Sequence, residues 1–306
     1  MSKYAVTGAS GYSGRYITRL LLDQGDSVLT LTGHLDRPQP FGDQINVAPF
    51  NFDNPEELTR SLEGVRVLIN TYWVRFSYGR TTHQQAVENT KILFNAAKRA
   101  GVQRIVHVSI ANPAQGVGLP YYQGKLALEQ ALMATGVAYA ILRPAVLFGG
   151  ATPAEDVLIN NIAWLLRRFP AFAIPGDGQY GIQPIHVEDM ARLAVEASKA
   201  QDNQIMDAVG PEKFTFEELV QLVAQAVGSR AVIFKAPPAL ALAVSQAISL
   251  FVGDVMLTQD EVAGLLADLL VSADPPTGTI KLSAWLAENA HLMGARYASE
   301  VGRHFR

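Results

Sequence analysis

The sequence predicts the α/β class: a doubly wound parallel sheet followed by a smaller, mainly helical C-terminal domain. Three observations predict it. The chain opens on a strand pattern, Lys3-Tyr4-Ala5-Val6, that runs into Thr7-Gly8-Ala9-Ser10-Gly11-Tyr12-Ser13-Gly14 and then into a helix pattern carried by Tyr16, Ile17, Leu20 and Leu21. Strand and helix patterns then alternate as far as Pro144, which implies a parallel sheet with helices on both faces. Beyond Gly149-Gly150 the alternation weakens and helical patterns take over. The expected division is 1–150, with 183–210 returning to it, against 151–182 and 211–306.

Composition fits that division. The chain has 306 residues, more than one compact core usually takes. It is 49% hydrophobic and 17% charged, so it can bury a large core and is not disordered. The net charge is −3 and no basic block stands out, so nucleic acid is not an expected partner. Cysteine is absent, which excludes disulfides, thiol catalysis and cysteine metal sites and suits a reducing compartment. The first strand begins by residue 3, so no cleaved leader is read, and the expected location is cytoplasmic.

The elements follow in order. Gly25 closes the first helix, and residues 26–32 read as the second strand. Residues 33–42 form a loop holding Pro38 and Pro40. Residues 45–50 are the third strand. Asp53 or Asn54 caps the next helix, with Pro55 in its first turn. Residues 65–70 are the fourth strand, 82–100 a helix closed by Gly101, and 104–109 the fifth strand. A helix over 121–135 and a strand over 137–142, ending at Arg143-Pro144, complete the series. Later come helices over 157–169 and 187–200, a turn at Pro175-Gly176-Asp177-Gly178, and a strand over 204–209. A helix over 215–227 opens with a capping box, Thr215 with Glu218.

The most apolar stretch is 236–257. Leu240, Val244, Ile248, Phe251 and Val255 share one helical face, and Ser245, Gln246, Ser249 and Asp254 interrupt the run. It reads as an amphipathic helix docked on the protein rather than a membrane span. A membrane-surface or protein contact through 236–257 stays open.

The opening turn carries the chemistry. Strand, glycine turn and helix form the entry to a dinucleotide-binding Rossmann domain. Gly8 makes the tight turn. Gly11 removes a Cβ so that a pyrophosphate can approach the backbone, and Gly14 lets the helix lie close on the sheet. The amides at the helix start face the anion, and the dipole favours it by roughly 0.3–1 kcal/mol per charge. The binding set read here is Gly8, Ser10, Gly11, Tyr12, Ser13, Gly14 and Arg15.

Ser109 ends the fifth strand, on the edge where such sheets bind ligands. Tyr121 and Lys125 are four residues apart on the following helix and share a face. Thr-Gly-x-x-Gly-x-x-Gly at 7–14, Val-His-Val-Ser at 106–109, Tyr-x-x-x-Lys at 121–125, Ile-Leu-Arg-Pro-Ala-Val-Leu-Phe-Gly at 141–149 and Gln-Pro-Ile-His-Val-Glu-Asp-Met-Ala at 183–191 together resemble the atypical and extended short-chain dehydrogenase/reductases. The group it is most similar to is the NAD(P)-binding epimerase/dehydratase-like proteins related to the nucleotide-binding accessory subunit of respiratory complex I.

The resemblance implies a catalytic set of Ser109, Tyr121 and Lys125, and tight NADP(H) binding. A tyrosine hydroxyl can move the proton that accompanies hydride transfer, but its ordinary pKa is about 10. Lowering that by roughly 3 takes about 4 kcal/mol, part of which a nearby ammonium supplies. Lys125 would also hold the cofactor ribose, and Ser109 would orient the substrate oxygen. The resemblance further implies cofactor contacts at Asp53 after the third strand, at Asn70, Thr71 and Tyr72 after the fourth, and at Pro144 and Val146 after the sixth. Only twelve positions separate Ser109 from Tyr121, fewer than in classical members, which argues against sugar-nucleotide epimerisation.

The second strand ends Thr32-Gly33-His34, with no acid to bind a free ribose hydroxyl and repel a 2′-phosphate. Arg15 and Arg37 could each fork onto such a phosphate. NADP(H) is therefore favoured over NAD(H). No metal site is read: His107 and His186 lack ligand partners at useful spacing. Two functions follow, both with a small-molecule ligand. One is an oxidoreductase or epimerase-like enzyme acting on a small carbonyl or alcohol. The other is a non-catalytic NADP(H)-binding sensor or assembly protein.

Overall fold

The computed structural model describes residues 2–37, 40–79, 81–150 and 155–304; Pro38 of the expected loop and the start of the expected 151–182 segment lie outside them. The chain divides into two compact units. One comprises 1–114, 120–144 and 187–208, and the other 115–119, 145–186 and 209–306.

The first unit begins β1 (Lys3–Thr7), α1 (Tyr12–Asp23), β2 (Ser27–Thr32), β3 (Ile45–Pro49), α2 (Pro55–Ser61) and β4 (Val67–Asn70). It continues through α3 (His83–Arg99), β5 (Arg104–Val108), α4 (Pro120–Thr135) and β6 (Ala138–Pro144). The chain passes through the second unit as β7 (Val146–Phe148), α5 (Leu158–Arg168), β8 (Ala171–Pro175), β9 (Gly181–Ile182) and β10 (Pro184–His186). It returns to the first as α6 (Val187–Lys199) and β11 (Gln204–Ala208).

Seven strands form one sheet in the order β11-β6-β5-β4-β1-β2-β3. Every pairing in it is parallel, with Val6 between Thr30 and Ile69 at its centre. Parallel sheets are covered on both faces, so their strands run apolar without alternation. Val67, Leu68 and Ile69 are all buried. Leu58, Phe94 and Leu132 of α2, α3 and α4 share a core with Ala5, Leu68 and Ile105. On the opposite face α1 packs against α6. In β5 the period of two sends Ile105 and His107 toward α3, where the His107 ring meets Phe94 edge-on at 5.4 Å. Arg104 goes the other way and donates to the Ala197 carbonyl of α6 at 2.7 Å.

The second unit adds β12 (Phe214–Thr215), α7 (Phe216–Ala226), β13 (Val232–Ala236), α8 (Pro238–Val252), α9 (Gln259–Leu266), α10 (Leu282–Asn289) and α11 (Glu300–His304). Three two-stranded sheets, β10-β7, β12-β9 and β13-β8, sit among its helices. Its core contains Phe148, Ile162, Leu219, Val223 and Leu286. The capping box at Thr215 and Glu218 is present.

Two expectations change here. β13 is a strand, paired in parallel with β8, where the sequence reads as mainly helical. The helix expected over 236–257 is α8, but the face that docks is the adjacent one, about one residue's rotation round the helix. Ala241 and Ser245 are its buried residues, while Leu240 is 52% exposed, Val244 44% and Phe251 82%. The physical reason is size: small residues let α8 approach β8 closely. Among the described residues no helix is long and apolar enough to cross a membrane.

Candidate functional site

The glycine turn closes between β1 and α1. Gly8 has φ +66°, a conformation that favours glycine, and its carbonyl accepts from the Gly11 amide at 2.8 Å. Gly14 is required by contact. A Cβ there would stand 2.2 Å from the Gly8 oxygen, and one on Gly11 would stand 3.1 Å from the same atom. Gly11 is the N-cap of α1 and carries no side chain to cap it. The turn is therefore a backbone cradle at a helix N-terminus, the arrangement that accepts a pyrophosphate.

Below the turn a buried polar chain ties three strand ends together. The Thr7 hydroxyl donates to Asn70 Oδ1 at 3.1 Å and accepts from the Thr71 and Tyr72 amides at 2.7 and 2.9 Å. The Asn70 amide group lies 3.0 Å from His107 Nδ1. His107 is fully buried, and burial, followed by the nearby Lys125 charge, holds its pKa well below the usual imidazole value.

At the ends of β2 and β3 lies a cleft of about 520 Å³, lined by Thr32, Gly33, Phe50, Asp53, Gln85, Asn89 and neighbours. Phe50 and Phe52 stack at 4.8 Å, and Tyr72 lies 5.0 and 5.3 Å from them. The Tyr72 hydroxyl accepts from Asn89 at 3.0 Å, and burial raises its pKa. Asp53 lines the cleft, while Asn54 caps α2 by accepting from the Glu57 amide. Capping therefore does not account for Asp53. Tyr72 was read from the sequence, but Phe50, Phe52 and the α3 amides Gln85 and Asn89 were not. They come from two stretches, the segment after β3 and helix α3, and share no spacing.

Arg15 and Arg37 are not among the described residues lining this cleft. The Arg15 guanidinium turns back to the Ser10 carbonyl at 3.4 Å. Arg37 is half-buried in the loop after β2. Tyr12 and Ser13 open α1.

The second cluster lies on α4. Tyr121, Lys125 and Glu129 follow one another at four-residue steps along one face. Lys125 is 3% exposed, and its ammonium donates to the Val108 carbonyl of β5 at 2.8 Å. It also sits 4.6 Å from the Trp73 ring centroid. Burial lowers its pKa to about 7, against an opposing pull from the Glu129 carboxylate. Tyr121 is half-buried, with the rings of Trp73 and His83 edge-on at 5.5 and 5.6 Å. Its neighbour Tyr122 is buried at 7% exposure, which leaves Tyr121 the more accessible phenol.

Ser109 is placed differently from the expectation. Its hydroxyl donates to Glu129 Oε1 at 2.6 Å, and the side chain is 2% exposed. Glu129 also receives Arg143 bidentately, at 2.9 and 2.6 Å. The structure thus brings Tyr121 and Lys125 together and turns the Ser109 proton inward, onto a buried carboxylate. Trp73, Glu129 and Arg143 are the residues that sequence reasoning missed. Glu129 had a usable signal, because it continues the four-residue series from Tyr121.

Pro144 ends β6 and its carbonyl accepts from the Ala111 amide at 2.8 Å, whereas Val146 opens β7 in the second unit. His186, also in the second unit, packs on Phe148 at 5.1 Å. Among the described residues no group of His, Cys, Asp and Glu could hold a metal.

Over 87% of its length the chain is 26% identical to NADH dehydrogenase [ubiquinone] 1 alpha subcomplex subunit 9, mitochondrial, of Arabidopsis thaliana, and the match covers 70% of that protein. Over 77% it is 26% identical to photosystem II assembly factor Ycf39 of a Synechocystis strain, covering 71% of that chain. Among solved structures, the NADPH-dependent quinone oxidoreductase QOR2 of Escherichia coli superposes with a TM-score of 0.74 at 21% identity. That match covers 94% of this chain and 98% of the other. Triphenylmethane reductase of a Citrobacter species, complexed with NADP(H), gives 0.69 at 18% identity over 94% and 99%. At these identities the structural likenesses establish the fold. Residues 8–161, half of the chain and the stretch that holds the glycine cradle, the cleft and the Tyr121–Lys125 face, match the family described as NAD(P)H-binding, and the chain belongs to it.

Proposed function

We propose that the protein is an NADP(H)-dependent oxidoreductase acting on a small carbonyl or alcohol. The observation that carries this reading is Tyr121 and Lys125 on one turn of α4, beside β5, in the same unit as the glycine cradle. The chain's own residues fit the cofactor: Gly11 leaves the start of α1 with no side chain, a Cβ on Gly14 would collide with the Gly8 backbone that shapes the turn, and a buried ammonium stands beside the end of β5. Gly8, Gly11 and Gly14 would hold the pyrophosphate, the Phe50–Asp53 cleft the adenosine, and Lys125 the nicotinamide ribose. The bound nicotinamide supplies or accepts the hydride. Tyr121 gives or takes the proton at the substrate oxygen. Lys125 stabilises the tyrosinate electrostatically and is charged in larger part below pH 7, where burial has placed its pKa. Ser109 acts through Glu129 and Arg143, fixing the α4 face rather than touching substrate. NADP(H) is favoured because the end of β2 presents Gly33 and His34 in place of an acid, with Arg37 in the loop that follows and Arg15 directly after Gly14.

Calorimetric titration with NADPH and NADH tests the cofactor. NADPH is expected to bind more tightly, and tighter NADH binding sinks the preference. A panel of carbonyl substrates with wild type and Tyr121→Phe tests the chemistry. Loss of roughly 10²–10⁴-fold in turnover is expected for a proton donor, and unchanged turnover removes Tyr121 from the mechanism.

A second reading is a nucleotide-binding assembly protein. It is favoured by the names of the two relatives, a respiratory-complex subunit and a photosystem assembly factor. The exposed apolar face of α8 would then be its membrane-surface or protein contact. NADPH binding with no turnover on any substrate selects this reading.

A further inference from the structure

Lys125 has a cover. Its ammonium carries three donors. One reaches the Val108 carbonyl at 2.8 Å, and the Trp73 ring lies over the nitrogen at 4.6 Å. With these two neighbours the residue is 3% exposed, and the indole occupies one face of the ammonium.

Trp73 is seated by packing, with its polar atom unused. It stacks on His83 at 5.7 Å with the ring planes 2° apart, and meets Tyr121 edge-on. It leans on α4 where a Cβ on Gly124 would stand 2.7 Å from the ring, so glycine is what lets it lie there. The indole N–H is buried and finds no hydrogen-bond partner among the described residues. His83 is anchored in turn, its Nε2 3.3 Å from the Arg75 carbonyl.

We propose that Trp73 is a positioning residue that competes with the nicotinamide ribose for Lys125: the ring covers the ammonium, and must turn aside for the ribose hydroxyls to take its donors. This rests on the reading above that Lys125 holds the ribose. Trp73 thereby taxes cofactor binding, and its movement reports that binding.

The test compares wild type, Trp73→Leu, Trp73→Phe and Lys125→Met, each checked for folding by circular dichroism. NADP⁺ is the probe, because it does not absorb indole emission. Trp73→Leu is expected to bind NADP⁺ about 2- to 30-fold more tightly, the range of a lost cation–π contact from exposed to desolvated. Trp73→Phe, which keeps a weaker ring, falls between. Reductive methylation of Lys125, followed by mass spectrometry, is expected to run faster in Trp73→Leu than in wild type. NADP⁺ is expected to shift wild-type indole emission, and the shift to disappear in Trp73→Phe although Trp164 and Trp285 remain. If Trp73→Leu fails to fold, Trp73→Phe carries the comparison. Weaker NADP⁺ binding in either folded variant, or unchanged affinity and labelling, overturns the proposal. The two readings separate on Lys125→Met. If it binds NADP⁺ as wild type does, the ribose reading fails and takes the cover with it. If it binds weakly while the Trp73 variants show no gain, only the cover fails.

Discussion

Lys125 is the residue on which most of the site's physics converges. An ammonium buried against an aromatic face and a carbonyl keeps its charge only at a cost, and that cost is visible in stability. In the unfolded chain Lys125 titrates near 10.5, and in the fold near 7. Between those values the unfolded state binds the extra proton, so stability rises with pH across that window. Below it both states are charged and the penalty is constant; above it both are neutral and the penalty is gone. Urea denaturation of wild type is expected to gain on the order of 4 kcal/mol from pH 7 to 10.5 relative to Lys125→Met. The same slope in both proteins refutes it. The pairing of Tyr121 with Lys125 was legible because helix periodicity fixes which side chains share a face. Trp73 was not, because its contact with Lys125 joins positions far apart in the chain and depends on Gly124 leaving room. Ser109 shows the opposite limit. Its position at a strand end was readable, but the direction of its hydroxyl depends on Glu129 and Arg143 lying where they do.

Elements follow the sequence most closely where local rules act alone. The β1–turn–α1 unit is such a case, since each glycine has a steric reason written in its own spacing. Gly14→Ala would press a methyl group onto the Gly8 oxygen at 2.2 Å, and backbone cannot yield as a side chain can. A loss of about 1–3 kcal/mol in thermal or urea unfolding is expected, with loss of NADP⁺ binding by calorimetry. Full affinity in a folded Gly14→Ala removes the cradle from the site. Helix α8 is the contrary case. Hydrophobicity located the helix but misidentified its docked face, because packing selected small residues over large ones. Leu250 is 87% exposed and Phe251 82%. Leu250→Gln with Phe251→Ser is therefore expected to change unfolding free energy by less than about 0.5 kcal/mol per site. A larger loss means the face is covered within the chain. The strand β13 escaped notice because a short apolar run can be helix or strand until its partner, β8, is known.

At the scale of the molecule, the proposed ligand contacts draw mainly on the first unit, while much of the apolar surface of α8 belongs to the second. Saturating NADP⁺ is accordingly expected to slow hydrogen exchange most strongly in α1, in the β2–β3 loop ends and at the start of α4. Exchange in α5 and α7 should change less. Equal protection throughout both units contradicts a site confined to the first. The parallel sheet was legible as a whole, since its strands and helices alternate so regularly. Beyond Gly150 the helices α5, α6 and α7 and the return strand β11 were legible too; what was not were pairings such as β13 with β8 and the seating of 290–296 on Asn160 and Arg167, which are long-range and leave no local period. The return of the chain as α6 and β11 sets a timetable for synthesis. The edge of β6 and the outer face of α1 both wait for residues 187–208. A ribosome must therefore make the intervening stretch of the second unit before the first sheet can be finished. For that interval a growing chain carries an open sheet edge, the kind of surface on which nascent chains pair wrongly and chaperones act.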